Sequence, residues 1–195
     1  HRVIANLCSE INWNNNLRTQ IGLFYSGTEG QPYSYTYRDG ADLLNDDSRD
    51  NALIYVPASQ GEITLENPSN WSALNSFIEN NDYLNSRRGD YVEKNATRGP
   101  WTDIVDLRFV QDLIVSKNKL QFTFDIFNFT NFINQDWGRR YFVGSFGFAQ
   151  PLRTVTAGPD PVFRFQEGSD DPRITDFGFS GSRWRAQIGI RYTFK

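Results

Sequence analysis

Apolar and polar residues alternate with a period of two over five separate stretches, and this limits what the chain can fold into more than any other feature. In residues 1–13, Val3, Ala5, Leu7, Ser9, Ile11 and Trp13 fall on one face, and Arg2, Asn6, Glu10 and Asn12 mostly on the other. In 17–26, Leu17, Thr19, Ile21, Leu23 and Tyr25 oppose Arg18, Gln20 and Gly22. In 101–115, Val105, Leu107, Phe109 and Leu113 oppose Asp106, Arg108 and Asp112. In 120–130, Leu120, Phe122, Phe124 and Ile126 alternate with Gln121, Thr123 and Asp125. In 183–194, Trp184, Ala186, Ile188, Ile190, Tyr192 and Phe194 alternate with Arg185, Gln187, Gly189, Arg191 and Thr193. Two is the side-chain period of a β-strand, so the expected fold is all-β and antiparallel.

The links between these stretches run short, long, short, long. Asn14-Asn15-Asn16 and Ser116–Lys119 are compact turns, whereas residues 27–100 and 131–182 are long and irregular. Outer-membrane β-barrels have short periplasmic turns and long extracellular loops, and the chain repeats that rhythm. With the short turns periplasmic, both long stretches are extracellular and the last strand runs inward, leaving Lys195 in the periplasm. There is no run of 18 apolar residues, so a transmembrane helix is excluded. The mean hydropathy of −0.57 is compatible with membrane strands, whose lumen-facing residues are polar. Five strands cannot close a barrel, which needs about eight. An open edge in lipid leaves backbone groups unpaired at several kcal/mol each. Further strands are therefore expected, from upstream in the same polypeptide or from another chain. The lack of methionine and of a signal peptide at His1 fits an N-terminus far upstream.

Composition narrows the function. Lys+Arg 20 against Asp+Glu 23 gives no case for nucleic acid as a partner. A single Cys8 and a single His1 leave no disulfide framework, no zinc site and no nucleophile–base pair, so neither an enzyme nor a cofactor is expected. The expected lipid-facing residues are Leu107, Phe109, Phe122, Phe124 and Ile126. Asp106, Arg108, Asp125, Arg185 and Arg191 are expected to form a lumen-side ladder of ion pairs.

The long stretches carry further candidates. A short helix capped by Asn70 is expected from the spacing of Trp71, Leu74, Phe77 and Ile78. Hairpin arms are expected at 141–148, 162–165 and 174–179. Asp39, Asp42, Asp46, Asp47 and Asp50 gather oxygen donors around Asn45. Calcium is a candidate there, with Asp42, Asp46, Asp47 and Asp50 as ligands. The spacing is not that of an EF-hand, and a solvated acidic loop is the preferred alternative. Tyr33, Tyr35, Tyr37, Trp71, Trp137, Tyr141, Phe142 and Phe146 either pack the loops, the preferred reading, or contact a ligand. Tyr35, Tyr37, Trp137 and Tyr141 are the foremost ligand candidates.

Several segments also resemble a known family. They are Ile21-Gly-Leu-Phe-Tyr-Ser-Gly27 followed by Pro32–Tyr37, then Asn51–Pro57, Arg87–Asn95 leading into Arg98-Gly-Pro-Trp101, and Asp106-Leu-Arg108. Asp125-Ile-Phe-Asn-Phe-Thr-Asn131 with Asp136-Trp-Gly138, and the final Trp184–Phe194, complete the set. In this order they resemble the C-terminal region of TonB-dependent outer-membrane receptors, of the large type with an N-terminal carboxypeptidase-regulatory-like domain. The resemblance implies a barrel of about 22 strands, of which these are the last five, plugged by an N-terminal domain. It implies energised import of a scarce ligand: an iron chelate, cobalamin, an oligosaccharide or a peptide. Implied partners are outer-membrane lipid, the TonB system reached through the missing N-terminal part, and a surface lipoprotein lid by analogy with glycan and peptide importers. Ile188, Ile190, Tyr192 and Phe194 resemble the terminal signal read by the barrel-assembly machinery, with Lys195 departing from it by following the aromatic. Two alternatives stay open: a barrel serving as a scaffold or surface-assembly component, and a secreted carbohydrate-binding β-sandwich.

Overall fold

A computed structural model of the chain describes residues 1–38, 40–48, 51–143, 148–166, 174–176 and 182–194. Its strands are β1 (Arg2–Asn14), β2 (Leu17–Thr28), β3 (Pro32–Arg38), β4 (Tyr55–Val56), β5 (Thr64–Leu65), β6 (Asp90–Tyr91), β7 (Thr97–Arg98), β8 (Thr102–Val115), β9 (Asn118–Phe127), β10 (Tyr141–Val143), β11 (Phe148–Thr156), β12 (Val162–Phe165), β13 (Ile174–Asp176) and β14 (Arg185–Thr193). The helices are α1 (Trp71–Glu79), α2 (Asp82–Ser86) and α3 (Phe129–Ile133). The chain divides into two compact units, the first from His1–Gly30, Pro100–Tyr141 and Asp176–Lys195, the second from Gln31–Gly99 and Phe142–Thr175.

The first unit is built on a five-stranded sheet in the order β1-β2-β8-β9-β14, and every neighbouring pair is antiparallel. All five alternating stretches thus enter one sheet. The pairing is local where links are short, β1 with β2 and β8 with β9. It spans a long stretch where β2 meets β8 and β9 meets β14. A bulge between Asn12 and Asn14 breaks the register of β1 near its turn. The fourth strand ends earlier than the alternation predicts. Asn128 turns left-handed at φ 56°, a conformation that asparagine tolerates, and residues 129–133 become helix α3 instead of strand.

The second unit shows that the two long stretches do not form separate loops. They fold jointly around a core of their own. Its main sheet runs β5-β12-β11-β3-β7 and is mixed. β3 from the first stretch pairs parallel with β11 from the second, Phe148 opposite Ser34, and β12 pairs parallel with β5. β3 lies inside the sheet, and Tyr33, Ser34, Tyr35, Thr36 and Tyr37 are all buried. A strand covered on both faces accepts large side chains in succession. Tyr37 stacks on Phe163 at 4.7 Å between ring centroids, and the Tyr35 hydroxyl accepts a hydrogen bond from Asn81 Nδ2 at 2.8 Å. Leu74 and Ile78 carry α1 into this core, with Trp71 and Phe77 packed against it. The expected cap at Asn70 is not made. Asn70 is helical, at φ −76° and ψ −2°, with no side-chain cap bond. Pro68 opens a 3-10 turn just before α1, so the capping moves back to Asn67, whose side chain accepts from the Ser69 N–H at 3.1 Å.

Burial pushes the Tyr37 hydroxyl up to about 12, against 10.0 for an ordinary tyrosine. The fold keeps the neutral phenol, whereas the unfolded chain ionises it at the lower value. The contribution of Tyr37 is therefore complete below about pH 10 and is lost as pH rises towards 12. Denaturant titrations across that window are expected to show the native protein losing about 2–3 kcal/mol more than Tyr37→Phe. Parallel curves would show that Tyr37 ionises equally in both states.

Candidate functional site

The pairing register lines the alternating residues of the first sheet into rows that cross all five strands. Leu7, Leu23, Leu107, Ile126 and Ala186 form one row, and Ser9, Ile21, Phe109, Phe124 and Ile188 the next. Ile11, Thr19, Gln111, Phe122 and Ile190 follow, then Leu17, Leu113, Leu120 and Tyr192. This apolar face is open. Phe122 and Phe124 are 41% and 39% exposed, and Ile188 and Ile190 are 76% and 68% exposed. Leu7, Leu23, Phe109, Leu113, Tyr192 and Phe194 are also exposed. A contiguous apolar surface of this kind marks a site of contact with something apolar. Ile126 corrects the expectation for its position. It sits on the apolar face but is only 8% exposed, in the row where β9 gives way to α3, a helix that packs against β8.

Among the described residues, side-chain hydrogen bonds on this face lie near its two ends. At one end the Trp13 indole N–H donates to Thr19 Oγ1 (2.8 Å), and that hydroxyl donates to Gln111 Oε1 (2.6 Å). At the other end Asp103 Oδ1 accepts from the Tyr25 hydroxyl (2.6 Å) and the Trp101 indole N–H (2.8 Å). The two rings close over Gly27, where an added Cβ would approach the Trp101 ring to 2.8 Å.

The opposite face is mostly polar, interrupted by Ile4, Phe24, Ile104, Val110 and Phe127, and its charged centre is Asp112. Its carboxylate is 1% exposed and accepts from Arg18 Nη2 (2.7 Å) and Gln121 Nε2 (2.8 Å), with Lys119 Nζ at 2.8 Å. Glu10 adds a weaker contact to Arg18 at 3.7 Å and accepts from Gln20 at 2.8 Å. The expected ladder forms only in part. Arg108 faces Asp125 at 3.6 Å, but Asp106 instead accepts the Asn128 N–H (2.8 Å), and the Arg185 guanidinium lies 5.9 Å from the Phe127 ring centroid. Arg191 is paired in register with Gln121 and has no ionic partner among the described residues.

Beyond β9, three polar side chains knit the segment around α3 to the start of β14. Asn128 Nδ2 donates to the Gly138 and Ser182 carbonyls at 2.9 and 3.2 Å. Asn131 Nδ2 donates to the Gln135 and Trp137 carbonyls, both at 2.9 Å, and its Oδ1 accepts the Trp184 N–H at 3.2 Å. Ser182 Oγ accepts the Arg140 N–H at 2.8 Å. Gly138, at φ +63°, sits so close that a Cβ would approach Asn128 Nδ2 to 3.0 Å. The segment with Asp125–Asn131 and Asp136–Gly138 is thus a hydrogen-bonded clasp. Asn131→Ala leaves two carbonyls and one N–H unpaired, and is expected to lower the unfolding free energy of this unit by about 1–3 kcal/mol. Faster amide exchange at Trp184 would accompany it; unchanged exchange would refute the clasp. The clasp also shapes a cleft of about 360 Å³ lined by Trp101, Asp103, Asp136, Trp137, Arg139 and Tyr141, among others.

The structure separates the loop aromatics. Tyr35 and Tyr37 are core residues of the second unit, buried with Tyr33, and of the two only Tyr37 also borders a cleft described below. Trp71 packs against the same core. Trp137 is 53% exposed and shares the small cleft with Tyr141. Phe146 lies outside the described residues, as does the Phe142 side chain. Among the acidic candidates, Asp39 and Asp50 also lie outside them, as does Lys195. The remaining aspartates organise their own turn. Asp46 accepts from the Ser48 N–H (3.0 Å) and Asn51 Nδ2 (3.0 Å), and Asp42 accepts the Asp47 N–H (2.8 Å). Asn51, then Ser48, hold the Asp46 carboxyl below the ordinary carboxylate range. Among the described residues no group of three or more carboxylate, histidine or cysteine ligands converges on one point.

No family model, no curated protein and no solved structure matches the chain.

Proposed function

We propose that the chain is the C-terminal part of a transmembrane β-barrel in a bacterial outer membrane. The whole protein would be a TonB-dependent receptor that imports a scarce ligand. The observation that carries the barrel reading is the first sheet: one exposed apolar face, an opposite face centred on charged residues, and, among the described residues, unpaired edges at β1 and β14. A soluble sandwich buries its apolar face against a second sheet. A barrel turns it to lipid and closes its edges with neighbouring strands.

Dimensions support this reading. From the Leu17 row to the Tyr25 row the apolar band spans eight steps of about 3.3 Å, or about 26 Å along the strand. At a tilt of about 40° it covers about 20 Å of membrane, close to the band of known barrels. Aromatics with polar tips flank it, Trp13 and Tyr192 at one end, Tyr25 and Trp101 at the other, as interfacial girdles do. Arg18, Asp112 and Lys119 would then face the lumen or the plug. The two short turns would be periplasmic, and the long stretches 27–100 and 131–182 would be extracellular. The final strand, with Ile188, Ile190, Tyr192 and Phe194, would be read by the assembly machinery. The receptor identity rests on the motif resemblance, with the TonB contact and the plug supplied by an N-terminal part.

Adjacent residues of β1 offer the test. Cys8 is the only cysteine and lies on the polar face, whereas Leu7 lies on the apolar face. In lipid vesicles, bimane attached to the complete polypeptide at a Leu7→Cys, Cys8→Ser variant is expected to be quenched by brominated lipid. Bimane on native Cys8 is expected to be spared. Equal quenching at the two positions, or none at either, overturns the barrel reading. Loss of uptake-dependent growth on removal of TonB separates transport from a scaffold role.

A further inference from the structure

The second unit contains a cleft of about 820 Å³, within the range that encloses a small molecule. Its lining includes the rings of Tyr37, Tyr55, Tyr91 and Phe163, with Leu44 and the Glu62 carboxylate. Tyr55 and Tyr91 meet edge to face at 5.4 Å, and Tyr37 stacks on Phe163, so four rings are held in fixed pairs. Tyr91 and Leu44 are exposed, which leaves the cleft accessible.

Among the described residues its only charged lining residue is negative. Glu62 accepts from the Ala58 N–H (2.8 Å), the Tyr55 hydroxyl (2.9 Å) and Ser59 Oγ (3.3 Å). The first two hold its carboxyl below the ordinary range, so it is ionised at neutral pH. Among the described residues no lysine or arginine lines the cleft, and Glu62 has no cationic partner. Aromatic faces attract cations, and more strongly when the cation is weakly hydrated. A hydrated metal ion gains nothing from apolar walls, and an anion meets Glu62. We infer that this cleft binds an organic ammonium ion with a ring or short alkyl body, its charge set between the tyrosine rings and Glu62. The cleft is built wholly from second-unit residues, so its ligand does not depend on how the first sheet is completed.

The test is calorimetric titration of the complete polypeptide in a maltoside detergent, whose headgroup carries no ammonium. Benzyltrimethylammonium is compared with neutral phenylethanol and anionic phenylacetate. The cation is expected to bind at least about tenfold more tightly than the alcohol, and phenylacetate more weakly than either. Glu62→Gln is expected to bring the cation down to the affinity of the alcohol while leaving the alcohol unchanged. Tyr91→Leu, on an exposed ring, is expected to weaken the cation about fivefold, and it decides the matter if Glu62→Gln fails to fold. Equal affinity for cation and alcohol, no binding to natively folded protein, or a cation affinity indifferent to the variants overturns the assignment.

Discussion

On the proposed barrel reading, Phe124→Arg is expected to destabilise the protein in a bilayer by about 2–4 kcal/mol, the cost of a cation on a lipid-facing barrel position near mid-membrane. Phe124 sits in the middle rows of the apolar face, between Phe109 and Ile188, and its ring is open to the surroundings. The same charge placed one strand over on the polar face tests direction and not merely tolerance. Gln187 is paired with Asp125, so Gln187→Arg gains an acidic neighbour and is expected to change stability by less than about 1 kcal/mol. Unfolding titrations in vesicles of both variants supply the comparison. A Phe124→Arg protein as stable as the Gln187→Arg protein would mean that the two faces meet the same medium.

The second large effect is expected at Asp112. Arg18 and Lys119 both turn to its carboxylate, which the sheet shields almost completely. Asp112→Ala leaves two cations facing each other and strips Gln121 of its acceptor. A fully enclosed pair broken this way costs about 3–5 kcal/mol. Because Arg18 and Lys119 side chains remain 34% and 32% exposed, water recovers part of that, and a loss of about 2–3 kcal/mol is expected. Asp112→Asn, which keeps one acceptor oxygen, is expected to lose about half as much. Denaturant midpoints of the two variants supply the check, and identical midpoints would show that Asp112 is a bystander.

The strands were legible because a half-exposed strand carries its own signature: each side chain declares its face by alternation. Leu107, Phe109, Phe122 and Phe124 lie on the apolar face as that pattern requires. What alternation does not contain is the partner. Asp112 stood on the expected face, but Arg18 reaches it across the β2–β8 pairing and Lys119 diagonally across β8–β9. That cluster exists only once register is set. Ile126 fits the period equally well, yet burial at the strand end is decided by the turn into α3. That turn had a faint signal in the run Asn128-Phe-Thr-Asn131, whose side chains compete with a ladder for backbone groups. Least visible were the parallel pairs β3–β11 and β5–β12, because nothing local to Tyr33–Tyr37 names a partner in residues 148–156. The tyrosine run itself gave the packing reading, and the buried core bears it out.

The parallel β3–β11 ladder has a kinetic consequence. It joins segments as distant as Thr36 and Gln150, 114 residues apart, whereas β8 and β9, which lie between them in sequence, pair locally through a short turn. Distant pairings form late, since the chain entropy of closing them must be met first. The tyrosines of β3 therefore stay uncovered until residues 148–156 arrive, and each long stretch is an unfinished half that only the other completes. Refolding is expected to register β8 with β9 early and to seat Tyr35 last.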